Sequence, residues 1–154
     1  MMRTEADKAI VELSVFREFI AASKLSIDPA SVRKGNPDQG EPDILCTLDG
    51  QPVAFELAEA CAPEFAAAAS LAMKLDSGVA TAWGEDVTHL TLRNKLTKRY
   101  RVACGVQLLI YTNGLTAMPD DLILARLEPE FASSFGSFNT VWLFGESVHR
   151  VSPP

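Results

Sequence analysis

The sequence lacks the devices that staple small proteins together. It has three cysteines, Cys46, Cys61 and Cys104, and no C-x-x-C pair, which argues against a zinc site or a disulfide framework. Reduced, partly buried thiols are expected instead. No apolar run is long enough to cross a bilayer, because charge or glycine interrupts each one. The first eight residues are followed by no apolar signal core. The expectation is a cytoplasmic protein with no membrane partner. Basic charge is also scarce: 14 Lys and Arg stand against 20 Asp and Glu, a net charge of -6, which is unlike a non-specific nucleic-acid coat. Neither G-x-x-x-x-G-K-[ST] nor G-x-G-x-x-G occurs, and there is no G-x-S-x-G elbow. Aromatic platforms of the RNA-binding kind are absent; Phe131, Phe135 and Phe138 look like late core or a partner-facing patch.

What is present suits one domain spanning residues 1–154, of which 47% are apolar. Residues 4–24 read as an amphipathic helix, with Ile10, Leu13, Phe16 and Ile20 at three- and four-residue steps. Thr4 and Asp7 supply a capping-box start, and Glu12 and Glu18 lie near the flanks of the stripe. Residues 28–42 are rich in proline and glycine and form a loop with a short strand near 31–34. Two apolar runs at 43–48 and 52–58, separated by Asp49-Gly50, predict a hairpin. A helix is expected at 63–76, a loop at 77–87, and a second amphipathic helix at 88–103. The run 106–111 is a strand buried on both faces and ended by Asn113-Gly114. A helix at 119–132 and a buried strand at 140–144 follow, with a frayed tail at 151–154. The fold class is therefore α/β, a mixed central sheet flanked by helices.

Two acidic residues mark the hairpin. Asp43 opens the first strand, and Glu56 lies midway along the second, sharing its face with the small residues Ala54 and Ala58. Paired oxygens of this kind hold hard divalent cations. Charge is also segregated along the chain. Residues 38–64 carry seven acids and no Lys or Arg, whereas 93–101 carry five bases and no acid. An acidic centre beside a basic helix suits a cation facing a phosphate; the alternative is that the two segments merely attract each other. Asp38 reads as a turn residue, and His89 and His149 lack acidic companions at ligand spacing.

Pro42-Asp43, Glu56-Leu57-Ala58 and the following helix-to-strand passage, through Lys95, Lys98, Tyr100 and Leu108 to Tyr111, resemble the PD-(D/E)XK, or restriction-endonuclease-like, nuclease superfamily. The likeness covers roughly residues 4–112 and implies an αβββαβ core. It implies that Asp43 and Glu56 ligate Mg2+ or Mn2+, with Glu18 as an accessory acid, and that nucleic acid, DNA or RNA, is the substrate. The chain departs from the pattern at Ala58, where the family has lysine. Two consequences stay open. Lys95 or Lys98 brings a substitute ammonium from the helix, or the domain is catalytically inactive and serves as an interaction module, expected to form a homodimer through its last helix and strand.

Overall fold

The computed structural model describes residues 4–60, 92–112 and 119–154. The helix predicted at 63–76, the loop at 77–87 with Trp83, and the positions of Cys61, Thr88, His89 and Asn113-Gly114 lie outside the described residues.

Helix α1 spans Glu5–Ser23. Its start is the expected capping box: the Thr4 hydroxyl accepts from the Asp7 N–H at 3.0 Å, and the Asp7 carboxylate accepts from the Thr4 N–H at 3.2 Å. Lys24 closes the helix in the left-handed conformation. The buried face is phased differently from the predicted stripe. Glu12, Val15, Phe16 and Phe19 are buried, and Ile10 is 67% exposed. Two apolar registers overlap in this helix, and the one with a phenylalanine at both 16 and 19 wins, because the larger rings remove more surface from water.

The remaining elements build one six-stranded sheet in sequence order: β1 (Arg33–Lys34), β2 (Ile44–Leu48), β3 (Gln51–Glu59), β4 (Gly105–Tyr111), β5 (Thr140–Phe144) and β6 (Val148–Arg150). β1, β2 and β3 form an antiparallel meander. β3, β4 and β5 run parallel, and β6 returns antiparallel. The β2–β3 turn is set by Asp49 and Gly50, both at positive φ, the conformation that a tight hairpin of right-twisted strands requires. The predicted alternation in β3 holds. Val53, Phe55 and Leu57 pack with α1 on one face, and Ala54 and Ala58 lie on the other with Leu92, Ile123 and Leu127. Phe16, Phe19 and Phe55 meet with ring centroids 4.9–5.9 Å apart at the centre of the α1 side.

Residues 92–97, here α2, are helical, and the chain leaves the helix before 98 rather than at 103. Thr97 helps end it: its hydroxyl bonds back to the Arg93 and Asn94 carbonyls and competes with the helical ladder. Helix α3 is Asp120–Leu127, followed by a 3-10 turn at Glu128–Phe131. The expected helix to 132 shortens because Pro129 has no N–H to donate. The tail is not frayed throughout, since Val151 is buried and its N–H donates to the Val141 carbonyl at 2.9 Å. Phe131 and Phe138 are core residues. No helix among the described residues is long and apolar enough to cross a membrane.

Candidate active site

The β2–β3 register opposes Ile44 to Phe55, which sets Asp43 and Glu56 side by side at the open end of the hairpin. Their groups interlock. The Asp43 N–H donates to Glu56 Oε1 at 3.1 Å, and the Leu57 N–H donates to Asp43 Oδ2 at 2.9 Å. Glu56 leaves the sheet on the face that carries Ala54 and Ala58, the face that α2 covers. Glu56 is 2% exposed, a position an isolated carboxylate could not hold without strong partners.

Those partners come from α2 and the segment after it. Lys95 Nζ lies 3.1 Å from Glu56 Oε2, and Lys98 Nζ lies 3.5 Å from the same oxygen. The Tyr100 hydroxyl donates to Glu56 Oε2 at 2.8 Å, and Lys98 Nζ stands 5.2 Å above the centre of the Tyr100 ring. The early end of α2 frees this segment to turn toward the sheet. The segment is then held from both sides: the Arg101 N–H donates to the Gly40 carbonyl at 2.8 Å, and the Ser137 hydroxyl donates to the Lys98 carbonyl at 2.7 Å. Gly40 has φ 77°, and a Cβ there would press on the Arg101 side chain.

The two carboxyl groups are driven apart electrostatically. Burial pushes the Asp43 carboxyl up, to about 7, and the Glu56 charge and the more distant Glu12 push the same way. Burial also pushes Glu56 up. The Lys95 ammonium, its hydrogen bonding with Asp43 and Tyr100, and the Lys98 charge outweigh that and hold it well below the usual carboxylate range. Burial and the neighbouring Glu56 raise Tyr100, so its hydroxyl stays a donor. The site thus separates one readily protonated acid from one persistently ionised acid.

Of the residues singled out from sequence, Asp43, Glu56, Lys95 and Lys98 come together. Glu18 does not: it is exposed on α1. The acid that α1 buries is Glu12, six residues earlier and about 120° around the helix. Glu12 is 3% exposed and pairs with Lys34 of β1 at 2.7 Å. Phasing the helix on Phe16 and Phe19 would have picked it out, since Glu12 lies four and seven residues before them. Asp38 is an exposed turn residue in the 3-10 turn Pro37–Gln39. His149 is not without an acid: its Nε2 lies 2.8 Å from Asp120 Oδ2. The Asp120 carboxylate also accepts from the Glu146 and Ser147 N–H groups, so it ties the start of α3 to the β5–β6 turn.

The chemistry of the donors bears on whether a cation fits. Mg2+ keeps most of its waters and is commonly held by only one or two carboxylates together with substrate oxygens. Asp43 and Glu56 supply that number of hard oxygen ligands. Among the described residues no group of three His, Cys, Asp or Glu side chains is arranged to hold a metal. A divalent ion here would therefore rest on two carboxylates, water and substrate. Comparison with protein-family models, with curated proteins and with solved structures finds no match for this chain.

Proposed function

We propose that the protein is a divalent-metal-dependent phosphodiesterase of the PD-(D/E)XK type, acting on DNA or RNA, with Lys95 in the role that Ala58 leaves empty. The observation that carries this reading is the convergence of a buried glutamate, a neighbouring aspartate and two lysine ammonium groups at the open end of the β2–β3 hairpin. Support comes also from the helix–three-strand–helix–strand order of the described elements, with its antiparallel meander leading into parallel strands.

In this reading Asp43 and Glu56 hold Mg2+ or Mn2+. There it would supply Lewis-acid chemistry, polarisation of a phosphoryl oxygen and a lowered pKa for bound water. Lys95, on the same side as Glu56, faces the scissile phosphate and stabilises negative charge as it develops. Tyr100 fixes the Glu56 side chain through its hydroxyl.

The test is cleavage of plasmid and single-stranded substrates with Mn2+. The wild-type protein is expected to cleave and to melt higher when Mn2+ is added. Asp43→Ala and Glu56→Ala are each expected to lose both responses. Wild-type protein that shows neither response sinks the proposal.

One observation favours a second reading. Both Glu56 oxygens are already engaged, Oε1 by the Asp43 N–H and Oε2 by Lys95, Lys98 and Tyr100. A network satisfied in this way needs no cation, as in a catalytically inactive domain used for binding. Among the described residues β6 is an outer strand of the sheet, and its edge is where a second copy would pair. That version predicts a homodimer by light scattering and no effect of Mn2+ on melting.

A further inference from the structure

Arg99 differs from Arg93, Lys95 and Lys98. Arg93 is held by Glu130 at 3.1 Å, and Lys95 and Lys98 converge on Glu56. Arg99 is exposed and makes no ion pair or side-chain hydrogen bond among the described residues. It stands where two cavities meet. One, of about 240 Å3, is lined by Arg99, Tyr100, Ser137 and Asn139 among others. The second, of about 530 Å3, is lined by Leu96, Thr97, Arg99, Gly136 and Ser137. Arg99 and Ser137 border both, so the two lie side by side as a groove along the end of α2 and the segment after it.

The charge of this groove is out of keeping with the protein. The chain carries -6 overall, yet among the described residues lining either cavity Arg99 is the single charged one and none is an acid. No Asp or Glu occurs anywhere from 87 to 119. A guanidinium with no carboxylate partner presents its fork of N–H donors to solvent, and that fork matches the paired oxygens of a phosphate. The Asn139 carboxamide adds a polar group to the same wall. Tyr100 joins the groove to the acidic site: it lines the smaller cavity, and its hydroxyl donates to Glu56 at 2.8 Å.

We infer that this groove is a binding track for an oligonucleotide strand, with one backbone phosphate seated on Arg99 and the neighbouring nucleotide leading past Tyr100 toward Asp43 and Glu56. The inference rests on the proposed phosphodiesterase reading for its choice of ligand, and it names a subsite that the carboxylate–lysine cluster does not contain. Binding in the groove requires no metal, because the contact is made by the guanidinium alone.

The test measures fluorescence anisotropy of a labelled single-stranded oligonucleotide with wild-type protein, Arg99→Gln and Arg93→Gln. It is run in EDTA from 50 to 200 mM salt. Arg99→Gln should weaken binding about tenfold, the size of one lost charge-assisted hydrogen bond. Its salt slope should fall by about 0.7, the value for one phosphate contact on a single strand. Arg93→Gln, whose guanidinium is already paired with Glu130, should change affinity less than about twofold. Equal affinity and slope for Arg99→Gln and wild type overturn the inference, as does wild-type protein that fails to bind at 50 mM salt. The two proposals fail separately. If Arg99→Gln loses affinity but no protein cleaves with Mn2+, the groove stands and the hydrolytic reading falls. If wild type and Arg99→Gln cleave with the same KM, the groove falls and the hydrolytic reading stands.

Discussion

Asp43 and Glu56 are chemically similar residues in contact, yet the protein treats them oppositely. Glu56 has ammonium and hydroxyl donors on one oxygen and a backbone N–H on the other. Asp43 has a backbone donor, burial, and negative neighbours in Glu56 and Glu12. The folded state therefore prefers Asp43 protonated, and this has a sign that can be measured. A carboxyl raised on folding contributes stability that is complete below its unfolded value of about 3.9 and is lost as pH rises through its folded value. For Asp43 that loss runs from about pH 4 to about 7. Glu56 is depressed, so its contribution is lost only as pH falls below about 4.3, outside that window. Asp43→Asn keeps a neutral group able to accept from the Leu57 N–H. Its Tm in chelated buffer should rise relative to wild type as pH goes from 4.5 to 7, then level off. Parallel Tm curves for the two proteins would show that Asp43 is not held neutral by the fold.

At the scale of elements, the sheet edge near β6 shows how a single glycine permits a junction. Asp120 begins α3 and reaches back to the turn between β5 and β6, where its carboxylate accepts the Glu146 and Ser147 N–H groups and meets His149. Those contacts, with burial opposing them, hold the Asp120 carboxyl below its usual range. A Cβ on Gly145 would run into that carboxylate. Gly145→Ala must therefore push Asp120 away and leave the turn donors without it. The expected cost is about 2 kcal/mol in urea unfolding with an unchanged m value. Faster amide exchange at Glu146 and Ser147 should accompany it. A variant as stable as wild type, with those amides still protected, would mean that Asp120 does not cap the turn. None of this junction was legible in the sequence, where Asp120 and His149 are 29 residues apart and β6 is only three residues long. Short strands carry too few positions for alternation to be visible. By contrast α1, β2, β3, β4 and β5 were legible, because a cap, an Asp-Gly turn with apolar alternation, and short continuous apolar runs act within a few residues.

Across the molecule, the candidate site was legible to the degree that its residues have local signatures. Asp43 and Glu56 stand at either side of a recognisable turn, and the cluster of bases at 93–101 is visible as composition. The choice of Glu12 over Glu18 was legible only through the phase of Phe16 and Phe19, and which of the two overlapping phases wins depends on how α1 is rolled against Phe55, a contact between segments far apart in the chain. Glu56 is the point where the acidic hairpin and the basic segment join, 39 residues separating it from Lys95. The segregation of charge along the chain becomes an ion pair in the fold, between layers that local sequence does not tie together. A double-mutant cycle reads this junction directly. Glu56→Gln removes the charge and leaves the Lys95 ammonium without its partner; Lys95→Met leaves a buried carboxylate short of its closest cation. The double change should cost less than the two single changes added together, because it leaves neither the buried carboxylate nor the Lys95 ammonium stranded, and the Lys98 ammonium that also loses Glu56 is half exposed to water. The coupling expected for contacting, largely buried partners is about 1–3 kcal/mol. It should persist in 0.5 M salt, since a pair this covered is poorly screened. Coupling below about 0.3 kcal/mol would place Lys95 away from Glu56 in solution, and with it would go the proposal that Lys95 serves in place of a lysine at position 58.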